Sequence, residues 1–227
     1  MEPLVSIGLA AGIAAVIGAV AVLDHRWLRA SRRTLLSDCV SGLSASTLVH
    51  GADDFPRLEG FREGRRVRVE LIPDTMTIRR LPQLWLSVTV MHSGRTGADL
   101  AVLVRPSGND FYSMTEHLKH SLRPPKEFPW EVLARGSGAR AQALLDRLAH
   151  PISAILADPR VKEIAITAKG YRIIRQAGEG RRGEHLLLRQ AVFDNAAVKS
   201  SDLEQLLKAL DGLSLRLGEH DREVDAA

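Results

Sequence analysis

Residues 4–23 read LVSIGLAAGIAAVIGAVAVL, twenty positions without a charge, in which Ser6 is the only polar side chain. At about 1.5 Å of rise per residue, a helix over this stretch covers roughly 30 Å, the hydrocarbon thickness of a bilayer. No other feature narrows the architecture so far, because whatever follows must be a domain hung from an apolar helix or released from it.

Two readings compete. A cleavable export signal has a basic leading segment, a shorter apolar run and a small-x-small cleavage site, which Ala19-Val20-Ala21 imitates. The charges run the other way. Glu2 is the only charged side chain before the run, whereas His25, Arg26, Arg29, Arg32 and Arg33 follow it against Asp24. The positive-inside rule then places the N-terminus outside and the rest of the chain in the cytoplasm, as an uncleaved single-pass anchor. Trp27 falls where an amphipathic ring rests among headgroups, so Trp27, Arg26, Arg29, Arg32 and Arg33 form the expected contact with the lipid bilayer. Gly8 and Gly12 have the small-xxx-small spacing that permits self-association through the span, although Ala11, Ala15 and Ala19 make an equal stripe in so Ala- and Gly-rich a segment.

The 227 residues divide into an anchor (1–23), a basic juxtamembrane helix and linker (24–50), an α+β domain (51–218) and a disordered polar tail (219–227). Hydrophobic content of 45% suffices for a core. The net charge of +4 is spread thinly beyond the juxtamembrane arginines, and aromatic residues make up 4%, so neither a dense basic face nor a stacking platform for nucleic acid is expected. An excess of arginine over lysine, with abundant alanine, is the composition of a GC-rich bacterial genome, which makes the expected location a bacterial inner membrane. Cys39 is the only cysteine; it excludes an intramolecular disulfide and suits a reducing compartment as a small buried residue.

Within the domain, periodicity of two predicts strands. Residues 57–72 alternate around a turn at FREG as a hairpin, and 82–90 places Leu84, Leu86, Val88 and Val90 on one face. Residues 99–106 are apolar on both faces, as in a central strand. Further strands are expected at 130–135, 161–167, 171–177 and 185–194. Helical spacing marks 139–159, which Pro151 must split, and a last helix opened by a Ser201–Glu204 capping box. The sum is a mostly antiparallel sheet with two helix groups on one face. Residues 107–130, rich in proline and aromatic side chains, are either a lid, a binding segment or a strap across the sheet.

Chemical motifs are sparse. Gly178–Gly183 spells G-x-G-x-x-G but joins two predicted strands, whereas a dinucleotide fingerprint opens a helix. Ser137, Gly138 and Arg140 precede a predicted helix and are candidate phosphate contacts, with an N-cap at Ser137 as the plain alternative. His117 and His120 lack the spacing and the additional ligands of a zinc site. No nucleophile elbow or P-loop is present, so no catalytic residue, cofactor or metal is assigned. Trp85 stands on the polar side of its strand, as a partner contact or under a covering helix. The expectation is a membrane-anchored binding or scaffold protein with a protein partner of unknown identity. The alternative is a tethered enzyme with its site under loop 107–130, in a pocket lined by Asp110, His117 or Arg135.

Overall fold

The structure, a computed structural model, describes residues 2–75, 81–91, 98–183, 191–193 and 197–225. Helix α1 (Glu2–Arg33) contains the apolar run and is long and apolar enough to cross a membrane. Its side chains from Ala11 to Arg26 are exposed, so nothing in the domain buries that length of helix. The helix expected to continue beyond residue 33 does not. Leu35 and Leu36 turn into the core, and a 3-10 turn, η1 (Ser37–Gly42), carries Cys39 inward.

Among the described residues, nine strands form one antiparallel sheet: β1 (Ser44–His50), β2 (Pro56–Arg62), β3 (Arg65–Asp74), β4 (Gln83–Met91), β5 (Asp99–Val104), β6 (His120–Ser121), β7 (Val132–Ser137), β8 (Val161–Thr167) and β9 (Gly170–Glu179). Their spatial order is β1-β2-β3-β4-β9-β8-β5-β7-β6. The β2–β3 turn places Glu63 at φ 50° and Gly64 at φ 76°, the left-handed pair that a two-residue hairpin turn needs. Strand β5 lies inside the sheet and is buried on both faces, as its uniform hydrophobicity predicts. Strand β1 replaces the linker expected within 24–50; it is an edge strand, mostly exposed, with a bulge between Ser44 and Thr47. The strand expected at 185–194 lies almost wholly outside the described residues, leaving a bridge between Phe193 and Gly180.

Helices α2 (Ala141–Arg147), α3 (Ala149–Leu156) and α4 (Ser200–Asp225) complete the domain. The break before α3 falls at Leu148, three residues ahead of Pro151. Proline is tolerated there because the first-turn N–H it lacks would have no intrahelical partner, and the Ile152 N–H makes the bond to Leu148 O. Leu145, Leu148, Ile152 and Leu156 join Leu203, Leu207 and Leu210 in one cluster with Leu84, Leu86, Val88, Ile164, Ile166 and Ile173 of the sheet. The Ser201–Glu204 capping box does not form. Asp38 of η1 accepts from the Ser200 N–H at 2.7 Å, and Glu204 turns to Arg62 at 2.5 Å. Helix α4 also continues through Asp225, so the expected disordered tail is helical as far as that residue.

Candidate functional site

Two places concentrate charge inside this fold. The first is the sheet face opposite the helices, over β4, β9, β8 and β5. Strands β8 and β9 slip register between Val161 and Glu163. A bulge of this kind turns consecutive side chains to the same side. Val161 and Ile164 therefore stay in the helix-side core, while Lys162 and Glu163 both meet the segment 104–114 on the other face.

Lys162, Asp110 and Glu163 each find partners there. The Lys162 ammonium donates to Val104 O (3.0 Å) and Arg105 O (2.7 Å) and pairs with Asp110 at 3.2 Å. Burial opposes charge on Asp110, but bonds from the N–H and hydroxyl of Ser107, with Lys162, outweigh it and hold the carboxyl below its ordinary range. Glu163, fully buried, accepts from Ser113 Oγ (2.5 Å), the Met114 N–H (2.7 Å) and Arg172 Nη2 (2.5 Å). Tyr112 donates to Asp110 at 3.2 Å, and burial followed by that carboxylate pushes its phenol up.

This arrangement defines loop 107–130 over its first half. The segment from Ser107 to Leu118 is a strap pinned to the sheet, with a single 3-10 turn, η2 (Met114–His117). Trp85 lies beneath it, 9% exposed, with its ring 5.3 Å from Tyr112 and packed near Ile174. The strap, and not the helix expected, covers Trp85, and the side chain is buried beneath it. Of four grooves of 340–680 Å³ on the described residues, none is lined by Asp110, His117 or Arg135. The second half of the loop is also tied down: Trp130 Nε1 donates to Leu156 O at 2.7 Å and Ser153 Oγ to Glu127 O at 2.9 Å.

The candidate phosphate contacts are placed differently from expectation. Ser137 ends β7 and its hydroxyl donates to Asp99 at 3.0 Å, so it caps no helix. Gly138 takes φ 90° in the turn, and Arg140 occupies the N-cap of α2 without a side-chain bond. Gly136 is required by packing, since a Cβ there would meet Ala141 Cβ at 2.6 Å and Asp99 O at 2.9 Å. Gly180, in the G-x-G-x-x-G segment, donates its N–H to Pro82 O at 2.7 Å at the end of β9.

The second concentration is where α1 meets the domain. Arg29 and Arg33 both bond the carboxylate of Asp54, whose side chain is 3% exposed; the Arg33 Nε contact is 2.9 Å. Their hydrogen bonds, Arg29 first, hold the Asp54 carboxyl below its ordinary range. Arg32 sits 4.9 Å over the Phe55 ring and donates to Asp53 O and Ala191 O at 3.3 Å. Three of the four arginines expected to face headgroups thus also grip the loop after β1, whereas Arg26 makes no such bond among the described residues. Trp27 is 61% exposed beside them. Spacing alone disclosed the arginines but not their partner, because Asp54 is an unremarkable acid 21 residues beyond Arg33. Comparison with protein-family profiles, curated proteins and solved structures gives no match.

Proposed function

We propose that this chain is a single-pass protein of a bacterial inner membrane, with its N-terminus outside and its α+β domain in the cytoplasm. There the domain binds or scaffolds a protein partner. The observation that carries the reading is the joint between anchor and domain. An apolar helix exposed from Ala11 to Trp27 ends in arginines bonded to a buried aspartate, so the domain is held at a set distance and angle from the bilayer. A freely tethered domain needs no such joint.

The buried charges under the strap favour binding over catalysis, because they are spent on each other. For a partner, β1 offers a sheet edge paired on one side only, and no charged side chain occurs from Ser44 to Val49.

The test is topology. A reporter active only outside the cytoplasm is fused after Ala227, and the mass of the chain is measured. An inactive reporter on an uncut chain is the expected outcome. An active reporter, or loss of residues 1–21, would overturn the reading.

A further inference from the structure

The largest of the four grooves, about 680 Å³, lies between α1 and Ala191–Val192. Its upper wall is Val16, Ile17 and Val20 of the apolar run, and its lower end is marked by Arg29 and Arg32. Trp27 lines the adjoining groove and is exposed at the same level. One end therefore suits hydrocarbon and the other suits an anion.

The two arginines differ in what neutralises them. Arg29 spends its charge on Asp54. Arg32 has only carbonyl oxygens and an aromatic ring as partners, with no carboxylate bonded to it among the described residues. Asp24 also lines the groove but forms no ion pair with Arg32. A guanidinium held by neutral groups retains a full charge and free N–H donors in a fork that matches phosphate.

We propose that this groove seats one membrane phospholipid with an anionic headgroup, its phosphate at Arg32 and its acyl chain along Val16, Ile17 and Val20. The occupant is a bilayer lipid and not a soluble anion, because the apolar wall is the span itself and opens directly to hydrocarbon. The proposal rests on the reading of α1 as a retained membrane anchor. It adds a lipid preference to the joint, since a bound headgroup would bridge α1 and the Ala191–Val192 segment.

The full chain is reconstituted into vesicles of equimolar phosphatidylglycerol and phosphatidylcholine, with one or the other carrying brominated acyl chains. Quenching of tryptophan fluorescence then reads which lipid sits beside Trp27. The expected preference for phosphatidylglycerol is about fivefold, the effect of one basic side chain at an anionic headgroup. Arg32→Gln removes the preference, as does Ala21→Phe, which places a ring in the groove without altering charge. Val22→Phe, on the helix but outside the groove, keeps it. Equal quenching by both lipids, or equal loss in Ala21→Phe and Val22→Phe, would overturn the lipid site while leaving the anchor intact. Absence of quenching by either lipid would overturn the anchor and the site together.

Discussion

At the scale of single residues, the chain handles burial of charge by pairing rather than avoidance. Glu163 is fully buried and has three donors, of which Arg172 carries the compensating charge. Removing one member of such a pair leaves the other desolvated and unmatched. Glu163→Ala is expected to cost about 3 kcal/mol, read as a lower urea midpoint at unchanged slope. Cys39 shows the same logic for a neutral group. Burial, then the nearby carboxylates of Asp38 and Asp202, push its thiol up to about 12, and its Sγ lies 3.4 Å from Val198 O. Only the thiolate is nucleophilic, so iodoacetamide at pH 8 is expected to leave Cys39 unmodified in the folded chain and to label it once urea unfolds it.

At the scale of elements, helical periodicity located α4, but its surroundings set its ends and its charge pairs. The apolar stripe Leu203, Leu206, Leu207, Leu210 and Leu213 is buried against the sheet, while Leu215 on the far side is 70% exposed. Leu207→Ala is therefore expected to cost about 2–4 kcal/mol, and Leu215→Ala less than about 0.5 kcal/mol, in matched urea titrations. The capping box was a sound local inference that lost to two tertiary partners. Arg62 draws Glu204 away, and the resulting hydrogen bond holds that carboxyl below its ordinary range, while Asp38 satisfies the Ser200 N–H. Strand β1 escaped notice for the opposite reason. An edge strand needs no alternating apolar face, and SASTLVH, mostly exposed, has none.

At the scale of the whole molecule, the joint at Asp54 couples α1 to the domain and makes that coupling depend on pH. The carboxyl titrates lower in the folded protein than its ordinary value of 3.8, so its contribution is complete above that value. It is lost as pH falls through the depressed value. Wild type is expected to lose more stability than Asp54→Asn between pH 5 and about pH 2, measured as urea midpoints in the same detergent, because the amide has no proton to gain. Asp110, Glu59 and Glu204 are depressed as well and are common to both chains, so the difference between the two curves isolates the joint.

By itself the sequence determined what depends on neighbours a few residues away. The uncharged run made α1, alternation made β3, β4 and the flanking strands, and Pro151 divided α2 from α3. These signals are local periodicities, and burial on one face enforces them wherever the chain goes. What only the tertiary structure decided was the destination of charge. Ser113 reaches Glu163 across 50 positions, Arg62 reaches Glu204 across 142, and Arg33 finds Asp54 across 21. The bulge that turns Lys162 and Glu163 to one side leaves no trace in the alternation of VKEIAIT. These long-range ion pairs form between side chains that folding brings within about 4 Å, and no spacing rule links them beforehand. Loop 107–130 was therefore legible as unusual, but its identity as a strap awaited the charges beneath it.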